Sequence, residues 1–227
     1  KGTEIQVASR VSETINDGGN NEEQDMTIVW EKVKACITEL MDSKVVAAED
    51  IKGIGVTGQG EGCWLIDKEG KPLQNAILWC DGRAVAEVHK ITEEHPEIGK
   101  LYHRTTGTPP LLGNQMMLLR WMKSHRKDVL DKGYKILFCK DWIRYNLTGK
   151  IGTEITDSFT SLIDAQTGKI AEDLMKELDI FEYRDYLPDP VDSDEVVGTI
   201  LNSVAEETGL AKGTPVVAGA LDTSATA

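Results

Sequence analysis

Short apolar runs that predict strands alternate along this chain with longer segments of helical periodicity. The clearest helix is predicted over residues 26–41, where apolar side chains recur every three or four positions. A hairpin with a turn at Asp67–Gly70 interrupts the alternation. Strands are predicted at 4–9, 51–56, 63–66, 72–78, 134–139 and 215–220, and further helices at 84–94, 115–124, 140–148, 172–178 and 204–208. This order is typical of a mixed α/β fold.

Composition limits the classes of partner. Among the 227 residues, 38 acidic side chains outnumber 25 basic ones, and the formal net charge is −13. This charge disfavours nucleic acid and anionic membranes as partners, because both are bound through concentrated Lys and Arg. No apolar run approaches the roughly 20 residues of a membrane span, and no secretory signal is present. We therefore expect a cytoplasmic protein.

The four cysteines are widely separated, and none belongs to a Cys-x-x-Cys pair or a Cys/His cluster. Structural zinc and a redox dithiol are therefore not expected, and no metal ligands are predicted from the sequence. Reduced, buried thiols are the expectation for all four, which are Cys36, Cys63, Cys80 and Cys139.

Residues 53–58 match the G-x-G-x-x-G pattern of dinucleotide-binding proteins. That chemistry needs a helix directly after the glycines, because the helix N-terminus meets the pyrophosphate. Here the glycines lie within and at the end of a predicted strand, and another strand follows. The pattern therefore gives only weak support to a nucleotide-linked oxidoreductase.

The segment from Thr57 to Gly62 sets Gln59 and Glu61 among three glycines. Such a loop lets the backbone approach a small ligand while an amide and a carboxylate face it. A glycine-rich hairpin turn without a ligand remains an alternative interpretation.

Two further segments end predicted strands with polar groups. In residues 75–83, Trp79 could cover the apolar face of a sugar and Asp81 could accept hydrogen bonds from hydroxyls. The alternative makes Trp79 a core residue, Asp81 a helix cap and Arg83 its ion-pair partner. In residues 213–225, Asp222 follows a buried strand, where a carboxylate can take a proton from a bound hydroxyl or simply cap a helix.

Together these segments resemble the FGGY family of carbohydrate kinases over nearly the whole chain. Residues 53–62 are similar to the family's sugar-contacting Gly-Gln loop, and residues 75–83 to its N-A-I-x-W-x-D-x-R segment. Residues 140–149 and 153–158 are similar to its K-D-Y-L-R-Y-x-L-T-G and T-D-x-S run. Residues 213–222 resemble the end of its N-terminal domain.

The resemblance implies an actin-like ATPase (ribonuclease H-like) domain, a mixed sheet flanked by helices. It implies transfer of a phosphoryl group from ATP, with Mg²⁺, to a terminal hydroxyl of a ketopentose of the xylulose type. Asp222 would be the catalytic base. The carbon chain would be held by Gln59, Gly60, Glu61, Trp79, Asp81 and Asn114.

The resemblance also implies that residues 1–227 form an N-terminal sugar-binding domain without its first hairpin and without a C-terminal ATP domain. ATP would bind mainly through the latter, so this chain alone is expected to be inactive, and a homodimer is left open. The loop at residues 58–62, with Trp64 after it, is similar to that of L-xylulose and erythritol-type kinases. The lysine expected before the helix of Trp121 is absent, which leaves erythritol, another polyol or gluconate as alternative substrates. A non-catalytic sugar-binding module is the alternative of another class.

Overall fold

The computed structural model describes residues 2–227 and has a mixed α/β architecture of short strands and longer helices. The strands are β1 (Ile15–Asn16), β2 (Glu22–Gln24), β3 (Thr57–Gly58), β4 (Trp64–Ile66), β5 (Ala76–Ile77), β6 (Lys135–Leu137), β7 (Thr153–Glu154), β8 (Pro190–Val191), β9 (Val196–Thr199), β10 (Pro215–Val217) and β11 (Ala220–Leu221). The helices are α1 (Met26–Asp42), α2 (Val85–His89), α3 (Pro96–Thr106), α4 (Gln115–His125), α5 (Lys127–Leu130), α6 (Cys139–Thr148), α7 (Ile155–Ser161), α8 (Glu172–Glu177), α9 (Asn202–Thr208) and α10 (Asp222–Ala225). A π-helical stretch, Lys90–Glu94, continues α2, and 3₁₀ turns lie at Ala48–Asp50 and Phe181–Tyr186.

Both parallel and antiparallel pairs occur among the strands. β4 pairs antiparallel with β6, β9 with β10, and β2 with both β1 and β5. β3 pairs parallel with β11, and β7 parallel with β8. The predicted mixed sheet is confirmed as a set of short ladders.

β4 separates two layers of the core. Cys63 and Leu65 belong to the cluster that contains the buried face of α4, whereas Trp64 and Ile66 pack with residues of α1 and α6. Successive side chains of a strand point to opposite faces, so a strand covered on both sides needs an uninterrupted apolar run. The sequence Cys-Trp-Leu-Ile at residues 63–66 meets that requirement.

α1 begins where the helical periodicity predicts. Asp25 is its N-cap, and one carboxylate oxygen accepts hydrogen bonds from the backbone N–H groups of Thr27 and Ile28, at 2.8 and 3.0 Å. The buried Trp142 of α6 donates its indole N–H to the carbonyl oxygen of Met26 at 2.8 Å. The start of α1 is therefore fixed both by its own cap and by a second helix.

The predictions for α1, α4 and α6 are confirmed, and α6 is capped at its C-terminus by Gly149 in the left-handed conformation, with φ 70°. The strand predicted at residues 4–9 is wrong. Ile5 and Val7 are 70% and 63% exposed there, and no described strand pairs with this segment. A strand without a neighbour lacks the ladder hydrogen bonds that stabilise it. The helix α3 was not predicted, although Ile98, Leu101 and Tyr102 recur at the i, i+3, i+4 spacing of a helix face.

All four cysteines are free thiols, as expected. Cys63 and Cys139 are buried, and burial raises the pKa of each thiol to about 12. Cys36 is half-buried, and the expectation of burial is wrong for Cys80, which is exposed in the turn after Trp79. Across residues 2–227, no helix has the length and apolar character needed to cross a membrane.

Candidate functional site

A cavity of about 270 Å³ opens where β3 and β11 end. Thr57 pairs with Ala220 and Gly58 with Leu221, and the two strands are parallel. Parallel pairing places the segments that follow the two strands at the same edge. Of the predicted site residues, the cavity brings together Gln59, Gly60, Glu61, Trp79 and Asp222, and its remaining lining residues are Thr160, Leu221 and Thr223.

The G-x-G-x-x-G stretch is extended backbone. Ile54 bridges to Val216, and β3 follows directly. The chain then forms the loop of residues 59–63, which we call the cavity loop, and enters β4. No helix starts after Gly58, so the geometry that a pyrophosphate needs is not present. The weak support for a nucleotide-linked oxidoreductase is thereby removed.

Glu61 has a strained backbone. Its φ is 56°, and that of the following Gly62 is 81°, so two consecutive residues are in the left-handed region. For a residue with a Cβ this conformation costs about 1–2 kcal/mol. Strain of this kind persists only where the surroundings hold it in place.

The carboxylate of Glu61 supplies that restraint. One oxygen accepts a hydrogen bond from Asn114 Nδ2 at 2.8 Å, and the other accepts from the Gln115 N–H at 3.0 Å and from Ser161 Oγ at 2.8 Å. Loss of solvent raises the pKa of Glu61, while the nearby hydroxyl groups of Thr160 and Ser161 oppose the rise. The loop is thus clamped to the start of α4 and the end of α7.

Asn114 does not line the cavity but is hydrogen-bonded to Glu61, which does. Its Oδ1 accepts hydrogen bonds from the Leu111 N–H and from the Tyr102 hydroxyl, and these two donors fix which way the amide faces. The Nδ2 group must therefore point at Glu61. The structure gives Asn114 the position of an orienting residue.

Trp79 lies on the cavity wall with 57% of its surface exposed, so the alternative that it is a core residue is wrong. Its backbone packs closely against Gly113, where any side chain would overlap the Trp79 carbonyl group. An exposed indole beside two carboxylates suits a ligand with both an apolar face and hydroxyls.

Asp81 is fully buried and does not line the cavity. Its Oδ1 accepts from the backbone N–H and Nε of Arg83, both at 2.8 Å, and its Oδ2 accepts from the Glu22 N–H at 2.7 Å. The carboxylate is occupied by these partners. Asp81 and Arg83 therefore form the ion pair that the alternative interpretation describes, and they support the turn that carries Trp79.

Asp222 is exposed on the cavity wall and is the first residue of α10. Its Oδ1 accepts a hydrogen bond from the Thr223 N–H at 2.7 Å. Among residues 2–227 this is the hydrogen bond that its carboxylate makes, so most of its accepting capacity is available to a ligand.

Sequence reasoning missed the contribution of α7. Thr160 lines the cavity, and Ser161 donates to Glu61. With Asp157, they occupy positions i, i+3 and i+4 of one helix, which share a face. That spacing of polar residues was the signal available in the sequence.

The cavity lining carries two carboxylates and no Lys or Arg. Within residues 2–227, no cluster of three or more His, Cys, Asp or Glu side chains is arranged to hold a metal ion. This part of the chain therefore suits an uncharged polyhydroxy ligand, and it does not fit the phosphates of a nucleotide or a resident metal.

Fold and cavity together define a mixed α/β domain with a small polar cavity at the edge where two parallel strands end. The sequence profile described as "FGGY family of carbohydrate kinases, N-terminal domain" matches residues 1–227, and the chain belongs to this family.

Known proteins similar to the chain include the L-xylulose/3-keto-L-gulonate kinase of Escherichia coli, 38% identical over 207 residues, which are 90% of this chain and 41% of the relative. The xylulose kinase of Bacillus subtilis is 33% identical over 205 residues, 90% of this chain and 40% of the relative. The crystal structure of xylulose kinase from Rhodospirillum rubrum superposes with a TM-score of 0.85 and 26% identity, over 95% of this chain and 44% of the other.

The chain thus spans less than half the length of the relatives that it matches. The resemblance to the FGGY family and the predicted actin-like fold are confirmed.

Proposed function

We propose that this chain is the acceptor-binding domain of an ATP-dependent carbohydrate kinase that phosphorylates a ketopentose of the xylulose type at a terminal hydroxyl. The observation that chiefly supports this proposal is that the Gln59–Glu61 loop and Asp222 line one cavity of about 270 Å³. The family, together with relatives named as L-xylulose and xylulose kinases, supports the activity and the substrate class.

Asp222 would accept the proton of the attacking hydroxyl, because its carboxylate is exposed on the cavity wall and makes few hydrogen bonds. Gln59 donates its Nε2 to Gln24 at 3.0 Å, which leaves its carbonyl oxygen to accept from a substrate hydroxyl. Trp79 would cover the apolar face of the carbon chain. Gly60 would leave room for that chain.

The remaining three predicted residues have more indirect roles in this proposal. Both oxygens of Glu61 already accept hydrogen bonds, so it would receive substrate hydroxyls only through its remaining lone pairs. Asn114 orients Glu61, and Asp81 supports the turn of Trp79. We propose both as positioning residues.

ATP and Mg²⁺ are implied by the kinase family, and Mg²⁺ would neutralise charge on the transferred phosphoryl group. The residues described here do not provide basic groups in the cavity or a metal site. We therefore propose that ATP and Mg²⁺ are held mainly by residues outside this chain, in a protein of the length of its relatives. On its own the chain would bind ATP weakly and turn over slowly or not at all.

The test uses the full-length gene product in a coupled ADP-release assay with L-xylulose, D-xylulose, erythritol, glycerol and gluconate. Asp222→Asn should lower kcat by a factor on the order of 10²–10⁴ and change sugar affinity less, as expected for loss of a general base. Asp194→Asn, an exposed aspartate outside the cavity, is the matched control and should leave kcat unchanged. Near-normal kcat in Asp222→Asn would reduce that residue to a helix cap.

A second outcome separates the remaining candidate functions. Preferred turnover of erythritol or gluconate would replace the ketopentose with a polyol or an aldonate as substrate. Sugar binding without ADP release by the full-length wild type would favour a non-catalytic sugar-binding module.

A further inference from the structure

Lys140 is a fully buried ammonium group behind the cavity. Its Nζ lies 2.8 Å from Asp157 Oδ2, 3.0 Å from Asp141 Oδ1 and 3.2 Å from Glu154 Oε1. The three carboxylates are also buried. We call Lys140, Asp141, Glu154 and Asp157 the buried cluster.

The buried cluster is an expensive way to stabilise a fold. Removing an ion from water costs several kcal/mol, and apolar residues of similar volume often do as well or better. Arg144 adds a second cation, 3.1 Å from Asp141 Oδ1, and donates to the carbonyl oxygen of Ala218 at 3.0 Å. Two cations thus face three carboxylates, which leaves one negative charge in excess. Such an arrangement calls for an explanation other than stability.

The buried cluster contacts the segment that leads into the cavity loop. Asp157 Oδ1 lies 3.0 Å from the point at which a Cβ on Gly60 would stand. The backbone N and the Cβ of Lys140 lie 3.4 Å from the corresponding point at Gly58. The loop before Glu61 therefore rests directly on the buried cluster.

The buried cluster is also connected to the turn that carries Asp222 through two hydrogen bonds. Glu154 Oε1 accepts a hydrogen bond from Thr156 Oγ1 at 2.6 Å, and Thr156 Oγ1 accepts one from the Leu221 N–H at 2.8 Å. Leu221 is the residue directly before Asp222. The hydroxyl of Thr156 thus connects the buried cluster to the turn that carries the proposed base.

Asp157 can change its charge near neutral pH. Burial raises the pKa of Asp157, Lys140 lowers it, and the carboxylates of Asp141 and Glu154 raise it; the net value is about 7. The thiol of Cys139 is the other titratable group that faces it, and its raised pKa keeps it neutral. Protonation of Asp157 would remove the negative charge in excess, and no described group donates a hydrogen bond to its Oδ1.

We propose that Lys140, Glu154 and Asp157, with Thr156, are positioning residues that hold the Gly58–Gly60 segment and the Leu221–Asp222 turn at a fixed separation. This separation sets how Asp222 meets the acceptor hydroxyl. The inference rests on the proposed kinase function for its effect on turnover, whereas the mechanical coupling of the two segments does not depend on that function.

The decisive pair of variants is Thr156→Val and Thr156→Ser in the full-length protein. Valine keeps the shape and removes the hydroxyl, and serine keeps the hydroxyl as a matched control. Hydrogen exchange should show faster exchange at residues 58–60 and 221–222 in Thr156→Val and wild-type rates in Thr156→Ser. The kcat of Thr156→Val should fall about tenfold with the sugar KM within threefold, and Thr156→Ser should retain wild-type kcat.

Asp157→Asn supplies an independent readout, because it keeps the shape and cannot ionise. The wild-type pH profile of kcat should show an inflection near pH 7 that this variant lacks. If folded Thr156→Val and Asp157→Asn keep wild-type exchange, kcat and pH profile, the positioning inference is wrong. If the wild type phosphorylates none of the tested sugars, the proposed function fails, and the exchange rates alone then decide the positioning inference.

Discussion

Replacing Glu61 with Gln removes one charge from the cavity loop and keeps its shape. The native carboxylate only accepts hydrogen bonds, from Asn114 Nδ2, the Gln115 N–H and Ser161 Oγ. The amide of a glutamine has one accepting oxygen and one donating NH₂ group. One of the two sets of donors must therefore face another donor.

The neighbouring side chains cannot rearrange to remove this clash between two donors. Asn114 cannot turn its amide around, because its Oδ1 already accepts from the Leu111 N–H and the Tyr102 hydroxyl. Hydrogen bonds to a charged group are worth about 1.5–3 kcal/mol each, and an unsatisfied buried donor costs about 1–3 kcal/mol. The left-handed backbone of Glu61, with φ 56°, then loses part of its restraint. We expect a loss of about 2–4 kcal/mol in the free energy of unfolding.

The same change should weaken sugar binding by about 10–100-fold, which corresponds to roughly 1.4–2.8 kcal/mol. Urea denaturation measures the first effect and isothermal titration calorimetry the second. Glu69→Gln, in the exposed turn after β4, loses the same charge and should change neither quantity. A Glu61→Gln protein with wild-type stability and affinity would show that the hydrogen bonds to the Glu61 carboxylate contribute to neither quantity.

Three further expectations follow from the packing and the charges. Gly60→Ala should lower sugar affinity at least tenfold in calorimetry, because its Cβ would overlap Leu221, whereas Gly55→Ala, with 3.5 Å to Val217, should bind normally. Trp142→Phe loses the hydrogen bond to the Met26 carbonyl, so urea denaturation should show a loss of about 1–3 kcal/mol; an unchanged midpoint would contradict this. The pKa of Asp157 is about 7 in the fold and about 3.9 in an unfolded chain, so the native state binds the extra proton between these values. Wild-type stability relative to Asp157→Asn should therefore fall as pH rises from 4 to 7 in urea denaturation series, and a constant difference would refute the assignment.

The parts of the fold that follow from local chemistry were accessible from the sequence. Residues 63–66 predict a strand buried on both faces, and the periodicity of residues 26–41 predicts α1 nearly to the residue. The resemblance brought Gln59 and Asp222 into one site, where spacing alone could not have done so. The cavity geometry agrees with that expectation.

Other features depend on contacts that no local pattern records. Trp79 and Asp81 both follow the same predicted strand, yet only Trp79 lines the cavity. The carboxylate of Asp81 is buried and occupied by Arg83. The role of Asn114 depends on two donors that come from different segments. The burial of Lys140 likewise depends on carboxylates from later segments, Glu154 of β7 and Asp157 of α7.

The ladder of β3 with β11 joins positions that are more than 160 residues apart in the chain. Contacts of such long sequence separation form slowly, because the chain loses the entropy of loop closure before it gains the favourable free energy of the contact. During synthesis, Gln59 would leave the ribosome long before Asp222 is made. The proposed binding site is therefore complete only once this ladder has formed, and a nascent or partly folded chain would carry the Gln59 loop without its opposite wall.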